Sequence, residues 1–224
     1  MTAITNPTSN STTSTAAAPK YGAAFFEHLW RGAGIQAVAF AVVGIAISQI
    51  HPVGMYIAAP IFGLAILNLT WWAQALRTTL ADAGLDGWGA AATASSAAVA
   101  ALLLGLVALV TVLPSITGPG SEALVAGLTQ VGLGVFVLSS FPRAMLIMSG
   151  SFGFWRAGLI SNKQFVVAVA AVFAGVFAGT TWFSDGFWAM DGLYSLVIFP
   201  VIGLVWVVAA SRVLNRAPST RTGF

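Results

Sequence analysis

Six long apolar stretches recur along this 224-residue chain, and they constrain its fold more than any other feature. A helix needs about 20 apolar residues, each rising about 1.5 Å, to cross the hydrocarbon core of a bilayer. None of the stretches shows the alternation typical of a membrane β-barrel strand. The sequence therefore predicts an all-α polytopic membrane protein, a bundle of six transmembrane helices. The predicted spans are residues 33–50, 53–73, 89–113, 122–143, 164–183 and 192–211.

Composition agrees with lipid as the main surroundings of the fold. Only 7% of the residues are charged and 58% are hydrophobic, whereas soluble domains carry about 25% charged residues. So few charges cannot cover a folded chain of this length with water-facing groups. A net charge of +3 without a basic run argues against nucleic acid as a partner. The absence of cysteine excludes disulfides and thiolate metal sites.

The chain divides into one transmembrane domain and two polar tails. Residues 1–20 are mostly Thr, Ser, Ala and Pro, so we expect a disordered cytoplasmic tail. Residues 21–215 form the six-helix domain, and residues 216–224 form a second cytoplasmic tail. We expect deletion of residues 2–19 to leave folding and membrane insertion intact.

Two segments beside the predicted spans differ from simple loops. Residues 21–32 mix bulky apolar side chains with Glu27, His28 and Arg31. This pattern predicts an amphipathic helix lying at the membrane interface. Residues 144–162 are apolar but interrupted by glycines, and two alternatives stay open for them. They either lengthen the fourth helix or fold along the membrane surface.

The cations predict the orientation of the bundle. Six spans place both termini on one side, together with residues 74–88 and 144–163. The opposite side carries Glu122, Asp185 and Asp191 but no lysine or arginine. The positive-inside rule then predicts cytoplasmic termini in a bacterial inner membrane. The cations of the terminal side are Lys20, Arg31, Arg77, Arg156, Lys163, Arg212, Arg216 and Arg221, with Arg143 at its border.

Catalytic chemistry finds little support along the chain. Enzymes and carriers of protons usually show ionisable side chains at bilayer depth, and this sequence has almost none. His28 and His51 lie outside the predicted spans, so no histidine pair at helical spacing could hold a heme or a metal. We therefore predict no catalytic residues, no cofactor and no metal, and a membrane-embedded enzyme is the least favoured class.

Arg143 is the strongest candidate for a functional side chain inside a span. It follows Pro142 at the predicted end of the fourth helix, just inside the cytoplasmic boundary. We favour a structural anchor that extends toward the headgroups, which predicts that Arg143→Lys changes little. The functional alternative is contact with an anion or a lipid headgroup.

Two further sets of residues are candidates for binding. Gln36, Asn68 and Gln130 come from three different spans and are large enough to line a polar cavity in the bundle, although hydrogen bonds between helices are the simpler explanation. In the outer loop, Asp185, Trp188 and Asp191 could contact an extracellular ligand or partner. The aspartates each precede a glycine, and such pairs also favour tight turns.

Small residues recur at a spacing of four in two spans. Gly175 and Gly179 form such a step in the fifth span, and Ala92, Ser96 and Ala100 do so in the third. This pattern predicts close packing between helices.

The segment FPRAMLIMSGSFGFWRAGLISNKQF, followed by an apolar helix and the loop WFSDGFW, resembles the C-terminal half of uncharacterised bacterial six-helix membrane proteins. In those families a proline–arginine step precedes an apolar segment that ends in the pattern found here at 156–160. The resemblance covers roughly residues 120–215. It implies a six-helix bundle and carries over no activity and no catalytic residues.

These features lead to two function hypotheses. The first is an integral membrane protein that binds or moves a small or apolar molecule within the bundle. The second is an accessory or regulatory subunit that docks on another membrane protein or on a second copy of itself. Beyond the lipid bilayer, the sequence names no partner.

Overall fold

The computed structural model describes residues 22–50, 54–116, 118–183 and 186–217, and these ranges are helical with no strand. Three short 3-10 turns and one π-helical turn, Tyr194–Ile198, join or precede the main helices. The all-α prediction is confirmed. The helices are α1 Gly22–Ser48, α2 Gly54–Asp82, α3 Asp86–Val112, α4 Ser121–Leu138, α5 Ser140–Arg156, α6 Asn162–Ala178 and α7 Phe199–Arg216.

Six helical passes follow from these elements, since α4 and α5 form one stretch of 36 residues from Ser121 to Arg156. Within the described ranges, five passes are long and apolar enough to cross a membrane. The remaining helical segment is α6, the fifth in chain order, which has 17 residues and is shorter than the predicted span 164–183. The predicted six helical segments are therefore confirmed, five of them are able to span a membrane, and α6, the fifth in chain order, is shorter than predicted.

Two predictions about individual segments have clear outcomes. The helix predicted for 21–32 is present as the first part of α1, which runs without a break from Gly22 to Ser48, and its position at the interface stays a prediction. Residues 144–156 lengthen the fourth helix, which was one of the two alternatives left open. The backbone hydrogen bonding of this helical stretch is interrupted only near Ser139, because Pro142 has no N–H to donate. Residues 1–21 and 218–224, which include nearly all of both predicted tails, lie outside the described residues.

The core is built around two tryptophans at one end of the bundle. Trp72 of α2 is fully buried and meets Trp206 of α7 edge to face, with ring centroids 5.5 Å apart. Small residues let the neighbouring helices approach these rings. Gly34 of α1 lies directly against Trp72, and Gly150 of α5 lies against Trp206. Such close approach between helices is typical of bundles that fold in lipid.

Both described chain ends lie at the same end of the bundle, which we call the basic end. Arg31 Nη1 of α1 donates to the carbonyl oxygens of Leu214 (3.2 Å) and Ala217 (3.0 Å) at the end of α7. These carbonyls are among those that a helix C-terminus leaves without intrahelical partners, and a cation there is favourable. The Nε of Arg77 lies 3.2 Å from Asp86 Oδ1 between α2 and α3. Arg156 and Lys163 flank the turn from α5 to α6 at this end.

The predicted small-residue contacts are confirmed. A Cβ at Gly175 would lie 2.7 Å from the ring of Phe199 in α7, and one at Gly179 would lie 2.6 Å from the ring of Phe141 in α5. In α3, Ala92, Ser96 and Ala100 are all buried.

Candidate functional site

Arg143 lies where the helical ladder between α4 and α5 is interrupted. Its Nε donates to the carbonyl oxygen of Ser139 (3.1 Å), and its Nη2 donates to that of Phe136 (2.9 Å) and to Ser139 Oγ. The guanidinium also faces the Phe136 ring at 4.7 Å and the Phe199 ring at 5.4 Å from the centroids. Arg143 thus binds backbone carbonyls at the break and sits between two aromatic rings.

The predicted end of the fourth helix at Arg143 is wrong, because α5 continues to Arg156. Phe141, two residues before Arg143, packs on Gly179. Gly179 directly follows the C-terminal end of α6, and Asn162 begins that helix at the basic end. Arg156, at the basic end, is about 20 Å further along the helix at 1.5 Å per residue. The predicted span 122–143 has the length needed to cross a bilayer, whereas the helix continues past Pro142, which only interrupts the backbone hydrogen bonding. Contact with an anion or a lipid headgroup stays a prediction.

Gln36, Asn68 and Gln130 have different surroundings. Gln36 of α1 and Gln130 of α4 are exposed on the outside of the bundle. Asn68 of α2 is buried, and its Nδ2 donates to the Leu64 carbonyl oxygen 2.9 Å away in its own helix. Neither of the two grooves described below is lined by any of them. A polar cavity lined by Gln36, Asn68 and Gln130 stays a prediction, and the placement of these three residues does not support it.

The loop after α6 is held against the bundle. Ser195 Oγ donates to Thr181 Oγ1 (3.0 Å), and Tyr194 Oη donates to the Ala174 carbonyl oxygen (2.8 Å). Trp188 packs on the Tyr194 ring with centroids 4.4 Å apart. Asp191 is exposed, and Asp185 lies outside the described residues. The loop is therefore structured around Tyr194, and its contact with a ligand or partner stays a prediction.

A groove with a volume of about 550 Å³ opens between α5, α6 and α7. Its floor consists of the buried Ala168, Ala210 and Phe154 and the half-buried Trp206. Val167 and Val205 form its rims and are 70% and 63% exposed. The groove exists because alanines on α6 and α7 face each other and leave space that larger side chains would fill.

The charged and amide side chains of this groove, Lys163 and Gln164, lie at one end. Trp206 Nε1 donates to Ser151 Oγ (2.8 Å), so the two polar groups of the deep part bind each other. Lys163 and Gln164 line the groove in the first turn of α6, at the basic end. The arrangement suits a molecule with a long apolar part and one polar end.

A smaller groove of about 360 Å³ lies on the other side of α7, against α1. Val38 and Val42 of α1 line it, and Arg212 closes it toward the basic end. Val201, Val205 and Ala209 border both grooves, so one face of α7 forms a ridge between them. The lining of the smaller groove is apolar apart from Arg212.

The sequence analysis missed the larger groove. Lys163 was taken only as a determinant of orientation, and Trp206 was not singled out. One signal was present, because Ala168 and Ala171 in α6 and Ala209 and Ala210 in α7 are small residues on two successive helices. The pattern does not reveal whether such residues make a close contact, as Gly175 does, or leave a gap.

No protein-family model, curated protein or solved structure matches this chain. The resemblance to six-helix bacterial membrane proteins therefore stays a prediction, and the argument about function depends on the geometry of the chain itself.

Proposed function

We propose that this chain is a multi-pass protein of the bacterial inner membrane, with both termini in the cytoplasm. Five apolar helices long enough to cross a bilayer support insertion. Many large apolar side chains lie on the outside of the bundle, such as Val42, Leu124 and Phe173. They also support membrane insertion, because contact with lipid avoids exposing an apolar surface to water. The cations at the basic end support the orientation.

We further propose that the bundle binds a small apolar or amphiphilic molecule from the membrane. The observation that carries this proposal is the groove between α5, α6 and α7, which is apolar along its length apart from the mutually bonded Ser151 and Trp206 and has Lys163 and Gln164 at the basic end. Sites for small molecules are typically concavities of about 300–1,000 Å³ with few polar groups. Binding is favoured over passage through the bundle, since the space between the two core tryptophans is filled.

The orientation can be tested with reporters fused after Phe224. We expect a cytoplasmic reporter, such as a fluorescent protein that folds only there, to be active, and a periplasmic phosphatase to be inactive. The opposite pattern would place the termini outside and would refute the orientation.

Binding in the groove can be tested with a photoreactive, uncharged long-chain alcohol and the purified chain in mild detergent. We expect crosslinks in α6 and α7 at groove-lining residues. Ala168→Leu fills the floor and should remove most of them, whereas Ala170→Leu is the matched control on the exposed side of α6. Crosslinking that is unaffected by Ala168→Leu would contradict binding in the groove.

The second candidate function is an accessory subunit, and one observation favours it. Half of the residues of α4 are exposed, and Leu124, Val131 and Leu138 are among them. A partner membrane protein or a second copy could cover this helix. Carbene labelling of the reconstituted chain from the lipid phase separates a covered α4 from a lipid-exposed one.

A further inference from the structure

The larger groove has the length of one leaflet. It begins at Lys163 and Val213 at the basic end and reaches Ala171 and Val201 deeper in the bundle. Between Val201 and Val213, α7 rises by about 18 Å at 1.5 Å per residue. Half of the hydrocarbon core of a bilayer measures about 15 Å. A single acyl chain of the leaflet at the basic end therefore matches the groove in length.

The charge at the mouth of the groove is unbalanced. Within the described part of the chain, the Lys163 ammonium makes no hydrogen bond or ion pair, and no acidic residue lines the groove. Lys163 lies in the first turn of α6, where a capping box between Ser161 and Gln164 already binds the N–H of Gln164, so the Lys163 ammonium is the charge that the mouth offers. Lysine is a compact cation that suits a phosphate. The mouth is complementary to an anionic headgroup.

The apolar floor excludes a ligand with polar groups along its length. Ser151 Oγ and Trp206 Nε1 already bind each other, and the other residues of the floor offer no polar side chain. A polar group buried there would lose its hydrogen bonds to water without replacement. The occupant must be apolar for the depth of the groove and charged at one end.

We propose that this groove holds one acyl chain of an anionic phospholipid, with the phosphate at Lys163 and Gln164. This inference rests on the proposed function, because it needs an apolar molecule in the same groove, and it names the headgroup class. Arg212 closes the neighbouring groove across the α7 ridge and is available to a second headgroup oxygen or a second lipid.

The test uses the full chain in mild detergent, to which phosphatidylglycerol and phosphatidylcholine with identical acyl chains are added in equal amounts. Native mass spectrometry then measures how much of each lipid stays bound. A single Lys near an anionic headgroup contributes about 1 kcal/mol, so we expect about fivefold preference for phosphatidylglycerol. Lys163→Gln should remove the preference, and Lys163→Arg should keep most of it.

Arg156→Gln is the matched control, because Arg156 is an exposed cation at the same end that does not line the groove. It should leave the preference unchanged. Equal retention of the two lipids by the unmodified chain would overturn the headgroup proposal, as would equal losses with Lys163→Gln and Arg156→Gln. If phosphatidylcholine binds equally well and Ala168→Leu removes both lipids, the apolar groove stands and only its charge selectivity fails. If neither lipid binds and the neutral photoprobe also fails, both proposals fall.

Discussion

The helical stretch Ser121–Arg156 has two halves of nearly equal length that differ sharply in burial. α4 buries three of its 18 residues, Gly132, Gly134 and Val137, all near its end. α5 buries nine of its 17 residues along its whole length. The two halves belong to one helical pass, yet only α5 belongs to the core.

The difference follows from where small and hydroxyl-bearing residues meet neighbouring helices and not from their number, since α4 has three glycines and α5 has two. α4 is rich in Leu and Val and carries Leu124 and Val131 on its exposed surface. α5 contains serines and glycines, and Gly150 and Gly153 let α7 and α2 pack directly on its backbone. In lipid, burying an apolar side chain gains little, so close packing and interhelical hydrogen bonds decide which helices associate. Hydropathy therefore locates the spans, whereas small and hydroxyl-bearing residues locate the core.

The largest contrast is expected from a leucine placed at a glycine in each half. A Cβ at Gly153 would lie 2.5 Å from Leu80, which is fully buried, whereas a Cβ at Gly127 of α4 meets nothing within 4 Å. Gly153→Leu should therefore lower the free energy of unfolding by about 3 kcal/mol, and Gly127→Leu by less than about 0.5 kcal/mol. Unfolding in mixed micelles measures both. Similar losses in the two variants would break the distinction between α4 and α5.

The junction between the halves should be the next most sensitive place. Arg143→Leu removes the hydrogen bonds to the Ser139 and Phe136 carbonyl oxygens, which should cost about 2 kcal/mol. Arg143→Lys keeps the charge but not the planar fork, so we expect a loss of about 1 kcal/mol. This revises the sequence-based expectation of little change. A silent Arg143→Lys in the same unfolding assay would show that the side chain acts as a flexible anchor.

A smaller effect should follow from removing one hydroxyl in each half. Ser151→Ala leaves Trp206 Nε1 without its partner in another helix and should cost about 1 kcal/mol. Thr129→Ala of α4 removes only a bond to Val125 of the same helix and should change little. Trp206 should also become more mobile, which the polarisation of its fluorescence can report. Equal effects of the two changes would mean that the hydrogen bond between helices contributes nothing.

Much of the fold could be predicted because lipid imposes a simple rule on the sequence. A helix that spans a bilayer must be apolar over about 20 residues, so the six helical segments could be located from hydropathy alone, five of them with the length to span. The glycines at 175 and 179 indicated close packing for the same reason. The short α6 could not be predicted, because the apolar sequence continues past Ala178 while the backbone turns at Gly179–Phe183.

The candidate sites were harder to predict because they depend on which side of each helix faces its neighbours. Gln36 and Gln130 looked suited to a cavity by type, but both face outward. The sequence left open whether the helix continues past Pro142, and it does continue, with Arg143 and Ser139 donating to the carbonyl oxygens at the break. The groove arises from a gap between α6 and α7, and a gap leaves no pattern of its own in the sequence.

Labelling from the lipid phase tests the contrast between α4 and α5 most directly. The full chain is reconstituted in bilayers, labelled with a small membrane-soluble carbene reagent, and mapped residue by residue by mass spectrometry. We predict strong labelling of Leu124, Val131 and Leu138 in α4, and protection of Leu146 and Ile147 in α5. Labelling of α5 as strong as that of α4 would contradict the account, and protection of α4 would show that a partner or a second copy covers it.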